Sequence, residues 1–383
     1  MTANRDRIST THIGSLPRDP DLLELLKRRQ DGEPVDEDRW RETVRDATEA
    51  VVRKQADVGL DVVNNGEQPR VSFNWYVANR LTGIGGERDA PTWDDLADFP
   101  EYASDAFDTE TIDLTKQPSV TGPVEYDGAA ALDEEIETFA AALDAADADF
   151  EGTFLTAASP GVAAATLVNE YYDSHEAFLH AVGDALREEY EAIADTGAVL
   201  HLDAPDLLTT GHRGFGDRSV EKLKPIVRMH VEALNDATRN VPDDQIRVHT
   251  CWGSYEGPHH RDTPLEAVLP ELYELDVGGL SIEEANPRHQ HEYRVFAEHP
   301  LPDGWDLIPG VVDVKTNVVD HPETIADRIE RVATAVDDPA RVVAAPDCGF
   351  DTQAGLAMVH PDIAWKKLEA LVDGAAIASD RLF

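Results

Sequence analysis

The sequence predicts an α/β fold of the (β/α)8 TIM-barrel class. Three observations point there. Short β-rich runs recur along the chain, each followed by a helical stretch, and such alternation implies a parallel sheet covered by helices. The length, 383 residues, suits one barrel with additions, since barrels take ~250 residues and can exceed 400. The polar residues able to carry chemistry stand at or near the C-terminal ends of the β-rich runs, where barrel enzymes build their sites.

In chain order the strand candidates are 7–15, 59–67, 118–124, 153–159, 199–203, 246–252, 277–283, 307–313 and 341–348. Between them, 132–146, 175–194, 220–238, 264–275 and 322–336 repeat apolar residues at i, i+3, i+4, the helical period. There is one strand candidate more than the eight a barrel holds, so one is short, peripheral or a loop. A doubly wound open sheet is the alternative, but its Gly-x-Gly-x-x-Gly turn is missing. Residues 1–383 read as one catalytic domain. The acidic stretch about 85–116, with Pro91 and Pro100, reads as an insertion or crossing loop.

Acidic residues number 76 against 33 basic ones, a formal charge of −43. A field of that sign repels nucleic acid and anionic lipid, so neither is expected as a partner. With 42% hydrophobic residues, the chain folds rather than trailing an acidic tail. An acidic surface of this kind stays hydrated in concentrated salt, so a halophilic, haloarchaeal protein is expected, with stability that rises with salt. Residues 1–9 are polar, with no apolar core of a secretory leader after them. The most apolar window, 152–168, is broken by Ser159-Pro160-Gly161 and is too short to span a bilayer. A cytoplasmic location follows as an expectation. There Cys251 and Cys348 are not expected to form a disulfide.

His249 and Cys251 are two apart on a strand candidate and so share a face. Glu283 ends the next candidate, in Leu-Ser-Ile-Glu, and Cys348 ends the last, in Ala-Pro-Asp-Cys-Gly. An imidazole, two thiols and a carboxylate suit zinc. The plain alternative is a buried histidine beside a small apolar cysteine. Ligands spread over three strands argue for a catalytic rather than a structural zinc, which favours close pairs in loops. Glu284, facing the other way on a strand, is passed over for Glu283.

The motifs Thr10-Thr11-His12-Ile13-Gly14-Ser15, Gly66-Glu67, Leu202-Asp203, His249-Thr250-Cys251, Ser281-Ile282-Glu283, Pro309-Gly310-Val311 and Pro346-Asp347-Cys348-Gly349 occur in that order. In this the chain resembles the catalytic half of cobalamin-independent methionine synthase, over nearly its whole length. The resemblance implies a uroporphyrinogen decarboxylase/methionine synthase-like barrel with zinc on His249, Cys251, Glu283 and Cys348. It implies that the Ile13–Ser15 segment, Glu67 and Asp203 grip homocysteine by its amino acid end. The chemistry agrees, because carboxylates suit an ammonium group and hydroxyl and main-chain donors suit a carboxylate. Asp203 as a helix cap and Glu67 as a surface ion pair are the alternatives.

The chain also departs from that family. The family's N-terminal half is not expected here. Lys315 stands where the family carries a catalytic histidine, Thr209 replaces an acidic folate-binding residue, and no folate-stacking tryptophan lies near 162–167. The segment from Cys251 to His260 also resembles a short single-barrel branch that includes epoxyalkane:coenzyme M transferase. His259 and His260 either shape a donor pocket there or are solvated loop residues.

The expected activity is zinc-dependent methyl transfer to homocysteine, giving methionine. The donor is a folate or a methylated corrinoid protein, with Asp203 and Lys315 in the reacting site. The alternatives are another zinc-dependent thiol alkylation and a non-enzymatic zinc- or thiol-binding protein.

Overall fold

The computed structural model describes residues 5–89, 93–102, 116–209 and 219–383. Among these the strands are β1 (Ser9–Thr10), β2 (Val62–Val63), β3 (Ile84–Asp89), β4 (Lys116–Val120), β5 (Gly152–Ala158), β6 (Val168–Asn169), β7 (Val199–Asp203), β8 (Ile246–Thr250), β9 (Gly279–Ile282), β10 (Asp306–Val312) and β11 (Val343–Pro346). Eight of them share one sheet, the number a (β/α)8 barrel needs. The other three, β3, β4 and β6, form a separate small sheet. The surplus strand candidate is therefore 118–124, which became β4. Part of the acidic segment 85–116 is built into that sheet, because β3 pairs antiparallel with β4. Residues 90–92 and 103–115 of that segment lie outside the described residues.

The chain divides into two compact units. Unit one comprises Met1–Phe73, Ala130–Thr156 and Ser281–Phe383. Here β1 runs parallel to β11 with Thr10 opposite Ala344, and β10 runs parallel to β11 with an irregularity between Gly310 and Val312. β2 is parallel to β5, with Val63 opposite Thr153. Ile13, Ile308, Val343 and Ala345 make a buried apolar cluster. Helix Glu37–Val58 starts on Asp36, whose side chain accepts from Arg39 N, and stops at Gly59 with φ +86, a left-handed conformation that glycine adopts without a Cβ penalty. Its buried face is Trp40, Val44, Thr48, Val51, Val52 and Gln55, a helical stripe among many charged residues. Helix Pro361–Leu382 begins with proline at its first position, where no N–H is needed.

Unit two comprises Asn74–Ala129 and Ala157–Leu280. β7 and β8 run parallel with Asp203 opposite His249. Helices His175–Asp195 and Val220–Thr238 pack on one another through buried leucine, valine and alanine side chains that recur at helical spacing. Helices His175–Asp195, Val220–Thr238 and Pro322–Val336 coincide within a residue with the predicted periodic segments. No helix of the described residues is long and apolar enough to cross a membrane.

Candidate active site

In unit one the chain leaves β1 through Thr11–Ser15. The Ile13 side chain belongs to the apolar cluster, so only its main chain can meet a ligand. Gly14 is bare for a reason: a Cβ there would lie 2.3 Å from Glu67 Oε1. Ser15 Oγ accepts from the Asp351 N–H at 3.3 Å, and the Phe350 N–H donates to the Ser15 carbonyl at 2.9 Å.

Glu67 follows β2 on a turn fixed by two asparagines. Asn64 Oδ1 accepts from Gly66 N at 2.6 Å and Asn65 Oδ1 from Glu67 N at 3.0 Å. Glu67 itself has φ +54, uncommon for a residue with a Cβ and a mark of strain that surrounding contacts must hold. It is buried, and Thr156 Oγ1 donates to its Oε1 at 2.9 Å. Arg70 donates to Thr156 Oγ1 at 2.9 Å and pairs with buried Glu135 at 3.0 Å. Arg18 pairs with Asp351 at 2.9 Å and donates to the Glu67 and Arg70 carbonyls, both at 2.8 Å. Burial pushes the Glu67 carboxyl up, while Arg70 and Arg18 oppose that shift. The surface-pair alternative for Glu67 is thereby corrected, since the group is sealed inside the protein.

Glu283 lies just beyond β9 and is fully buried. Cys348 Sγ stands 3.3 Å from its Oε1, and Lys315 Nζ stands 3.1 Å from the same oxygen. Asp347 orders this segment by accepting the main-chain N–H of Glu284 at 2.9 Å, Ala285 at 2.8 Å and Asn286 at 3.0 Å. Burial first, then the charge of Glu283, pushes Asp347 up to about 7. Gly310 leaves room for it, because a Cβ there would come 2.1 Å from Asp347 Oδ1. Glu284 is buried with no hydrogen-bond partner on either carboxylate oxygen. Burial, then the charges of Asp347 and Glu292, push its pKa well above the usual carboxyl range.

In unit two the β7–β8 register brings Asp203 Oδ1 to 4.0 Å from His249 Nε2. Burial, then the Arg247 guanidinium, lowers the His249 pKa to about 3. The imidazole is therefore neutral, the form that ligates metals. Cys251 is buried, and neither cysteine forms a disulfide. His249, Cys251 and Cys348 are thus buried groups of the kinds that could hold a metal ion. After β8 the chain is pinned by Asp95, which accepts from Tyr255 Oη at 2.6 Å and His259 N at 3.0 Å. His259 is buried, with Nδ1 2.9 Å from Asp262, and so is not a solvated loop residue. His260 is exposed and reaches Asp98 at 2.9 Å.

Sequence reasoning singled out Glu283, Cys348 and Lys315 separately, and unit one brings them together. It singled out Asp203 and His249, and unit two makes them neighbours. It missed Arg18, Arg70, Asp206 and His230, all buried and bonded to other polar groups. Arg70, three residues after Glu67, was the one readable signal. Thr209 is buried at the end of the short helix Asp206–Thr209.

Residues 8–92 and 124–375 match the family model described as the catalytic domain of cobalamin-independent synthase. The methionine synthase of Sulfolobus acidocaldarius is 24% identical over 378 residues, 98% of this chain and 93% of that protein. That of Saccharolobus islandicus is 25% identical over 382 residues, 98% of this chain and 96% of that protein. A B12-independent methionine synthase from Shewanella sp. W3-18-1, solved in complex with selenomethionine, superposes with TM-score 0.72 at 18% identity, covering 98% of this chain and 99% of the other. A putative one from Listeria monocytogenes gives 0.65 at 21% identity, covering 97% and 98%. The likeness to these structures establishes the fold, the α/β barrel expected from the strand–helix alternation.

Proposed function

The chain belongs to the family of cobalamin-independent synthase catalytic domains, and from that premise we propose that it is a zinc-dependent methyltransferase acting on the thiol of homocysteine to form methionine. The observation that carries this reading is Glu283. A buried carboxylate facing a thiol at 3.3 Å and an ammonium at 3.1 Å suits a metal ligand held in place by a counter-charge.

The donor set fits zinc. His249 is kept neutral by burial, and two thiols with one carboxylate complete a set of borderline-soft ligands. His249, Cys251, Glu283 and Cys348 would hold the ion. Zinc would supply a lowered pKa for a thiol that is otherwise mostly protonated, with pKa ~8.5.

The other roles fall to the protein's own groups. Glu67 and Asp203 would bind the ammonium of homocysteine, while Ser15 and the main chain from Ile13 would bind its carboxylate. Arg18 and Arg70 hold Glu67 in its strained turn, and Asp347 holds the main chain after Glu283. Lys315 keeps Glu283 oriented and presents positive charge where a donor approaches. A lysine does not shuttle protons as a histidine does at neutral pH, so the family's histidine role is not repeated here. A sulfonate thiol such as coenzyme M would want cations where Glu67 and Asp203 stand, which favours homocysteine. We read the protein as cytoplasmic, with an acidic surface suited to high salt.

Methyltetrahydrofolate is expected to be a poor donor, because Thr209 and the missing tryptophan remove a charged hydrogen bond worth ~1.5–3 kcal/mol and an aromatic contact worth ~0.5–1.5 kcal/mol. Turnover of homocysteine with methyltetrahydrofolate, its polyglutamate and methylcobalamin, with zinc quantified in the same preparation, tests the reading. Methionine formed in proportion to bound zinc supports it. Preference for coenzyme M over homocysteine would transfer the assignment to the epoxide-type branch. Efficient use of the monoglutamate folate would remove the donor argument.

A further inference from the structure

Glu135 has no role in the chemistry above, yet it is a carboxylate in an apolar place. Helix Ala129–Ala146 buries Leu132, Glu135, Phe139 and Ala142, which are spaced as one helical stripe. The adjacent Glu134 is exposed and pairs with Arg41 at the surface, whereas Glu135 is 5% exposed. A glutamate is almost never fully buried unless it is paired, and both partners of Glu135 flank Glu67 in unit one. Glu135 Oε1 accepts from Asn65 Nδ2 at 2.8 Å and stands 3.0 Å from the Arg70 guanidinium. Asn65 Oδ1 in turn accepts from Glu67 N at 3.0 Å. Arg70 donates to Thr156 Oγ1 at 2.9 Å, and Thr156 Oγ1 donates to Glu67 Oε1 at 2.9 Å. These contacts close a ring that runs from Glu135 through Asn65, Glu67, Thr156 and Arg70 back to Glu135.

The ring also distributes charge. The guanidiniums of Arg70 and Arg18 are close enough to act on Glu67, but Glu67 itself forms no ion pair among the described residues. Arg70 is paired with Glu135, and Arg18 with Asp351 at 2.9 Å. Two cations against three carboxylates leave one negative charge over. That charge falls to Glu67, whose Oε1 meets a hydroxyl and not a guanidinium. Its Oε2 has no hydrogen-bond partner among the described residues. Charges interact strongly in a low-dielectric interior. An Arg70 released from Glu135 would therefore cancel the charge of Glu67 and repel an ammonium group.

We propose that Glu135 is a specificity-determining residue: by neutralising Arg70 it leaves the surplus negative charge on Glu67, so that the site selects a thiol bearing an ammonium group. Glu135 touches no substrate. It is a positioning residue that acts through Arg70 and through Asn65, which holds the Glu67 main chain. This role rests on the reading of Glu67 as the partner of the homocysteine ammonium. An arriving ammonium favours the ionised form of Glu67 against the burial that disfavours it. The role also accounts for an ion pair where a well-packed apolar pair would be as stable.

The test measures, by calorimetry on the zinc-loaded full chain, the affinities of homocysteine and of γ-mercaptobutyrate, the same thiol acid without its ammonium group. The unmodified protein should favour homocysteine by about tenfold or more, the worth of a hydrogen bond to a charged group. Glu135→Gln keeps an acceptor for Asn65 but frees the charge of Arg70. It should reduce that preference about tenfold, through weaker homocysteine binding alone. An equal loss for both thiols would make Glu135 merely structural and overturn the proposal. A stranded buried charge can also unfold a protein, so Glu135→Gln is paired with Arg70→Met in a double variant that strands none. The double variant should keep the preference within about threefold of the unmodified value, because a buried ion pair can be replaced by neutral groups with little loss. Loss of the preference in the double variant would also overturn the proposal. A preference that survives Glu135→Gln defeats this role alone. If the unmodified protein has no preference, the reading of Glu67 fails, and this role with it.

Discussion

At the strand ends of unit one, Glu67, Glu283 and Asp351 are buried carboxylates, each near a cation: Arg70 and Arg18, Lys315, and Arg18 again. At the strand ends of unit two, His249 is buried as a neutral imidazole, and His230 and His175 meet nitrogen to nitrogen. A buried ion pair fixes geometry, but removing one partner strands the other charge at ~3–5 kcal/mol. A buried neutral imidazole has no such counter-charge to lose, and near neutral pH it can bind a metal or pass a proton. Unit one thus supplies carboxylates anchored by counter-charges, and unit two supplies imidazoles kept neutral by burial.

The sharpest break in that comparison comes from the thiols, one in each unit. Cys251→Ser with Cys348→Ser should leave the folded circular dichroism signal intact while zinc falls to a small fraction of one per chain. Activity should drop by ~10³-fold or more, as expected when a metal that generates the nucleophile is lost. Full zinc occupancy in the double variant would sink the ligand assignment.

A smaller effect is expected from an anchor of unit one. Glu67→Gln keeps the shape but leaves Arg70 and Arg18 facing a neutral amide. Truncating a buried charged partner costs ~2–5 kcal/mol, so KM for homocysteine should rise by roughly 30-fold or more, with a smaller change in kcat. A rise confined to the methyl donor's KM would show that Glu67 does not face the amino acid.

The smallest effect concerns unit two and acid. The ordinary imidazole pKa is 6.5, and His175 is lowered to about 4 in the folded chain. As pH falls from 6.5 towards 4, the unfolded chain takes up a proton that the native state refuses, so stability is lost across that window. His175→Gln should flatten this part of the curve of unfolding free energy against pH. An identical acid limb in both proteins would show that His175 titrates normally.

Much of the candidate site was legible from local pattern. Residues two apart on a strand share a face, so His249 and Cys251 could be read as a pair, and Glu283 and Cys348 were marked by ending their runs. Helix Glu37–Val58 was not among the recognised helical patterns, because charged residues outnumber its apolar stripe. Residues 118–124 looked like a barrel strand because their composition is that of one, yet β4 pairs with β3 and β6. Composition reports that a strand forms, not which neighbour it finds.

Residue types and strand-end positions in the sequence determined the α/β class, the acidic surface and the chemistry on offer. Only the tertiary structure decided which groups are charged. Nothing in the chain order says that Arg18 and Arg70 converge on Glu67, that Lys315 meets Glu283, or that Glu284 is sealed away without a partner. Nor could it reveal the ring from Glu135 to Glu67, whose members come from a helix, a turn and a strand. The physical reason is that a pKa or a hydrogen bond depends on distance and burial, and both are set by packing between segments far apart in sequence.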